Sequence, residues 1–171
     1  MAMKRYIKAE SAEYEVLTSS NPYDRRDMAR ETTNPEIVEI LQYDPDDDVR
    51  RDLASNPNLP VEKLMEFAQS DDPALRWGVA QNDSAPAKIL SMLSDDEDFY
   101  VRRDVGCNDN TPPDILAKLA SDPESAVRYW VATNNNTPVE ALQRLACDPE
   151  DNTTCREANL TLFRIKNDKS R

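Results

Sequence analysis

Apolar positions recur along this chain with a fixed period. Val38, Leu64, Leu90, Leu116 and Leu142 stand 26 residues apart, and Leu41, Phe67, Leu93, Leu119 and Leu145 follow them by three. Interleaved with these is a second set, Val49-Arg50, Leu75-Arg76, Val101-Arg102 and Val127-Arg128. Each of its members is followed by an asparagine (Asn56, Asn82, Asn108, Asn134) and then a proline (Pro60, Pro86, Pro112, Pro138). A repeat of this length implies a stack of units, each burying its apolar face only against its neighbours.

Two short helices fill one period. The first opens at Thr137-Pro138, where Thr137 caps, Pro138 takes the first helical position and Glu140 completes a capping box. Leu142, Leu145 and Ala146 form its inward stripe, and the turn at Asp148-Pro149 stops it, because a residue before proline leaves the helical region. The second helix runs from about Ser125 to Thr133, and Asn134 suits a left-handed cap at its end. Its length is compatible with an α or a 3₁₀ helix.

Read in order, Met1 to Glu10 is a lead-in, and Ser11–Leu17 with Asp24–Arg30 form a degenerate capping unit. Regular repeats start at Asn34-Pro35; Leu160, Leu162, Phe163 and Ile165 belong to a closing helix, and Lys166–Arg171 is a fraying tail. The expected architecture is an all-α, right-handed α-solenoid of about six two-helix repeats. It forms one domain over 1–171: an N-terminal cap at 1–33, regular repeats at 34–146, and a C-terminal cap and tail at 147–171.

The motif D-x-x-x-V-R-x-x-V-A-x-N followed by T-P-x-x-x-L-x-x-L-A, over residues 24 to 146, resembles the leucine-rich repeat variant family and, more loosely, HEAT-like repeats. That resemblance implies alternating α and 3₁₀ helices in a right-handed superhelix. The family's founding member also has a cysteine-rich cluster module before its repeats. The cysteines here are Cys107, Cys147 and Cys155, so an iron–sulfur cluster is not carried over.

Composition narrows the function classes. The net charge is -12, from 33 acidic and 21 basic residues with no histidine, and such a surface repels phosphate backbones. Direct nucleic-acid binding is therefore disfavoured and a basic protein partner favoured. Mean hydropathy is -0.77 with 39% apolar residues, as a thin one-layer array requires, and no apolar run is long enough for a membrane span. A cytoplasmic protein with free thiols is expected. Without histidine, a phosphate-cradling glycine loop or paired metal-ligand cysteines, neither an enzyme nor a cofactor or metal site is expected.

Three features carry candidate chemistry. The recurrent Arg50, Arg76, Arg102 and Arg128 fall inside the apolar arc of a helical wheel, so each needs an acid such as Asp46, Asp72, Asp98 or Glu124. With Asn56, Asn82, Asn108 and Asn134 they are read as a structural ladder. On the opposite arc stand Arg51, Trp77, Arg103, Tyr129 and Trp130 with Asp52 and Asp104, an aromatic and charged strip of the composition found at binding hot spots. The competing reading tucks these rings under adjacent loops or against a second copy. Thirdly, acids cluster in every turn between the two helices: Asp44, Asp46–Asp48, Asp71-Asp72, Asp95–Asp98, Asp122 with Glu124, and Asp148 with Glu150-Asp151. The expected function is a non-catalytic protein–protein interaction module, a scaffold or adaptor. An acidic inhibitor occupying the basic groove of a nucleic-acid enzyme is the alternative, and pure self-association is a third.

Overall fold

Aspartate and proline determine where the helices begin. The computed structural model describes residues 12–148 and 151–168; the lead-in through residue 11, Pro149 and Glu150 of the last acidic turn, and tail residues 169–171 lie outside the described residues. The described residues form twelve α-helices and no strand. They are α1 (Ala12–Leu17), α2 (Pro22–Glu31), α3 (Pro35–Leu41), α4 (Asp47–Ala54), α5 (Val61–Ala68), α6 (Pro73–Gln81), α7 (Ala87–Leu93), α8 (Phe99–Cys107), α9 (Pro113–Leu119), α10 (Ser125–Thr133), α11 (Val139–Leu145) and α12 (Asn152–Asp168). Odd-numbered helices are the first of each repeat and even-numbered ones the second. The second helices are α-helical throughout, not 3₁₀.

Asp46, Asp72 and Asp98 cap α4, α6 and α8 by accepting backbone N–H bonds, which also sets a negative charge at the positive end of the helix. The first helices open differently. Pro60, Pro86, Pro112 and Pro138 hold the N-cap position with no side-chain cap bond, and their fixed φ pre-sets the entry. The expected capping box at Thr137 is therefore corrected. Thr137 is buried and donates its hydroxyl to the Val131 carbonyl at 2.6 Å, as Thr111 does to Val105 at 2.5 Å.

The chain divides into two compact units, one ending at Ser84 and the other beginning at Ala85. In the first, α4 packs between α2 and α6, with α3 and α5 along their flank. Its interior is Ile37, Val38, Leu41, Val49, Leu53, Leu64, Phe67 and Val79, all buried. In the second, α10 packs between α8 and α12, and the interior is Ile89, Leu90, Leu93, Val101, Val105, Leu116, Leu119, Val127, Val131, Leu142 and Leu145. The inward stripes of both helices thus come from the two periodic sets.

Within the two units, α4 and α10 each have second helices on both sides as well as a first helix on the flank. Gly78 marks the tightest of these approaches in the first unit. A Cβ there would lie 2.2 Å from the Arg51 carbonyl oxygen and 2.6 Å from Ala54 Cβ, with no flexible side chain to yield. Gly78→Ala is expected to cost about 2 kcal/mol through overpacking, read as a lower urea midpoint. Gly106→Ala, whose Cβ would meet Val131 Cγ2 at 3.0 Å, should cost less. An unchanged midpoint for Gly78→Ala would remove the close approach.

The last helix corrects a further expectation. It continues through Lys166 to Asp168, and its buried side consists of Thr154, Ala158 and Thr161. Small side chains let α12 lie close against α10 and α11, leaving Leu160 and Phe163 exposed.

Candidate functional site

The recurrent arginines Arg50, Arg76, Arg102 and Arg128, joined by Arg25 of the first unit, are held by two kinds of acceptor. In each case a guanidinium N–H donates to the carbonyl six residues earlier: Arg25 to Ser19, Arg50 to Asp44, Arg76 to Ser70, Arg102 to Asp96 and Arg128 to Asp122, at 2.5–3.0 Å. The other edge takes a carboxylate from the following repeat. Arg25 Nε meets Asp44 at 2.6 Å, Arg50 meets Asp72 at 2.5 Å, Arg102 meets Asp122 at 2.8 Å and Arg128 meets Asp148 at 2.7 Å. The assignment of Asp46 and Asp98 to these arginines is corrected: both cap their own helices, whereas Asp72 caps α6 and also pairs with Arg50. The hydrogen bond that Arg102 donates to Asp122 holds its guanidinium pKa above the ordinary value against the opposing effect of burial.

Asparagines make the complementary link backwards. Asn82 Nδ2 donates to the carbonyls of Ala54 and Asn56 at 3.0 and 2.8 Å, and Asn134 Nδ2 to those of Gly106 and Asn108 at 3.0 Å each. Asn56 does the same to Ala29 and Thr32. The side-chain oxygens of Asn56, Asn82, Asn108 and Asn134 each accept the N–H two residues on. Thus Asn134 is not a left-handed cap. Its φ is -75°, because the extended conformation aims the amide at the preceding repeat.

What remains for solvent is the outer row of the second helices. In the first unit Arg51 and Trp77 are half-buried, and the Arg51 guanidinium stacks over the Trp77 ring 4.7 Å from its centroid. In the second unit Arg103 and Tyr129 are half-buried and Trp130 is exposed, with Tyr129 and Trp130 edge to face at 5.6 Å. Two members of the predicted strip do not belong to it. Asp52 and Asp104 are each only 7% exposed, while Trp130, at the equivalent position three after the periodic valine, is 38% exposed. Asp52 pairs with Arg26 at 2.6 Å and Asp104 with Arg103 at 2.7 Å.

The geometry adds two rings that the wheel did not single out. Tyr23 and Tyr100 are 68% and 44% exposed and lie beneath arginines three residues on, Arg26 at 5.9 Å and Arg103 at 5.2 Å. The Tyr-x-x-Arg spacing, present twice in the chain, was the available signal. The acidic turns are largely committed: Asp44 and Asp122 are buried against arginines, while Asp46, Asp72 and Asp98 cap. Cys107, Cys147 and Cys155 carry free thiols. Among the described residues no three metal-ligating side chains converge, and no helix is long and apolar enough to cross a membrane.

An all-helical repeat protein is what these elements define. No family model matches the chain, and no curated protein does. Among solved structures it resembles one described as "a leucine-rich repeat variant with a novel repetitive protein structural motif", at 25% identity over 92% of this chain and 73% of that one, with a TM-score of 0.40. The repeat architecture rests on the recurring helices and links within each unit, to which a likeness at that TM-score adds nothing.

Proposed function

We propose that the chain is a non-catalytic protein-recognition module that engages a protein partner through the outer row of its second helices. The observation that carries this reading is the row itself. Tyr23, Arg51 and Trp77 in one unit, and Tyr100, Arg103, Tyr129 and Trp130 in the other, make up such a row within each unit, its members half-buried to exposed. Aromatic rings paired with arginine supply large contact area at low entropic cost, and such residues dominate binding energy. Helical repeat folds commonly present such surfaces.

An acidic inhibitor that imitates a phosphate backbone has fewer groups to work with, because most of the turn carboxylates are spent on capping and on arginines. The test is a pull-down from the native host with wild type and the Trp77→Ala/Trp130→Ala double variant. A protein captured by wild type is expected to be lost from the variant while helical circular dichroism is retained. Equal capture by both would sink the outer-row reading.

A further inference from the structure

We propose that copies of this chain associate head to tail, the outward face of α12 in one copy docking in the acidic groove between α1, α2 and α3 of the next. The groove measures about 570 Å³ and carries Glu13, Asp24, Asp27 and Glu31, with no basic side chain among the described residues that line it. Val16, Met28 and Ile37 supply its apolar lining. It lies on the side of α2 turned away from α4, since Arg26 and Arg30 reach Asp52 of α4 from the opposite face of the helix. Asp27 bonds Arg30 at 3.2 Å and Asp24 accepts from Ser19 and Asn21. Among the described residues Glu13, Asp24 and Glu31 form no salt bridge with a cation.

The complementary face is at the other end of the sequence. Residues 152–171 hold five basic side chains against Glu157 and Asp168, in a chain whose net charge is -12. On α12 the side formed by Thr154, Ala158 and Thr161 is buried, and the helix packs on α10 and α11. A helical wheel points Arg156, Leu160 and Phe163 the opposite way, flanked by Arg164 and Lys166. Leu160 and Phe163 are 39% and 67% exposed. Among the described residues Arg156, Arg164 and Lys166 form no salt bridge.

Such a face calls for an occupant that joins apolar surface to carboxylates, and the groove offers both. A nucleic-acid backbone would meet the cations and leave Leu160 and Phe163 without apolar cover. Two chains of net charge -12 repel one another, but beyond about 8 Å that repulsion is screened at physiological salt, so the local pairs decide. Because the two faces differ, the contact is heterologous, and each bound copy still offers one free face until a ring closes. Neither Trp77 nor Trp130 takes part, so the contact stands apart from the outer row.

Light scattering on a dilution series of the full chain at physiological salt should give an average mass that rises with concentration. Arg156→Glu/Lys166→Glu and, separately, Glu13→Lys/Glu31→Lys should each weaken association roughly tenfold or more with helical circular dichroism retained. An equal mixture of these two variants should regain it, because the reversed faces complement one another. If either reversed variant loses its circular dichroism, the neutral variants Arg156→Gln/Lys166→Gln and Glu13→Gln/Glu31→Gln decide, wild-type association in both overturning the proposal. A mass that stays monomeric throughout the series also overturns it. Association weakened by reversing α12 but not by reversing the groove would pair α12 with itself, and likewise overturns it. So does binding of phosphatidylserine vesicles or a single-stranded oligonucleotide that Arg156→Glu/Lys166→Glu abolishes, in a chain that remains monomeric. Association that appears only in Lys4→Ala/Arg5→Ala/Lys8→Ala would make the lead-in the groove's occupant and overturn it too. The Trp77→Ala/Trp130→Ala variant should associate as wild type does. Association lost there transfers the contact to the outer row and sinks this proposal alone, whereas partner capture kept there sinks the outer row alone.

Discussion

Arg102→Ala lowers the stability of the chain by about 3 kcal/mol, a fall of roughly 6 to 12 °C in melting temperature for a chain of this size. Arg102 bridges the carbonyls of Asp96 and Glu97 to the carboxylate of Asp122, whose side chain is 5% exposed. Removing the guanidinium leaves that carboxylate buried without its counter-charge, which costs more than the pair contributes while intact. The double variant Arg102→Ala/Asp122→Asn should therefore recover part of the loss. Because the folded-state pKa of Arg102 is raised, its contribution is complete below the ordinary guanidinium value and fades only above it. The defect should accordingly be constant across neutral pH. An unaltered melting temperature in Arg102→Ala would mean that the clamp between repeats carries no load.

Asn134→Ala is expected to cost about 3 kcal/mol, seen as a lower denaturant midpoint followed by tryptophan emission. One side chain serves the Gly106 and Asn108 carbonyls and the Asn136 N–H, and alanine would strand the two buried carbonyls. Asn134→Asp should be no better, since an ionised carboxylate has no N–H for the two carbonyls and adds a charge there. If Asn134→Asp were as stable as wild type, the backward link would have to be assigned elsewhere.

The periodic apolar sets were readable because burial in a stack repeats with the chain. Val38, Leu64, Leu90, Leu116 and Leu142 are all buried, and Asn34-Pro35 does open a helix. Errors arose wherever a local rule stood in for a neighbour in space. A helical wheel knows nothing of ion pairs, so it sent Asp52 and Asp104 outward, yet each is drawn in against an arginine. Cap rules look a few residues along the chain, whereas the partners of Asn134 lie 26 and 28 residues back. Thr137 was misread for the same reason, its acceptor being the carbonyl of Val131 in the helix before it. In the candidate site the tryptophans could be found from the wheel. The pairing of Asp52 with Arg26 and Arg30 could not, since both arginines belong to the divergent first unit and come into register only when α2 packs on α4.

The links between repeats also determine how such a chain can change length. In the regular repeats asparagine amides reach back by 26 or 28 residues and arginines reach forward by 20 or 22, while in the first unit Asn56 reaches back by 24 and 27 and Arg25 forward by 19. An insertion or loss of one whole period re-creates the tethers of the regular repeats with new owners. Growth by duplicating complete modules is thus the inexpensive route, and the polar ladder, more than the greasy interior, keeps the copying in phase.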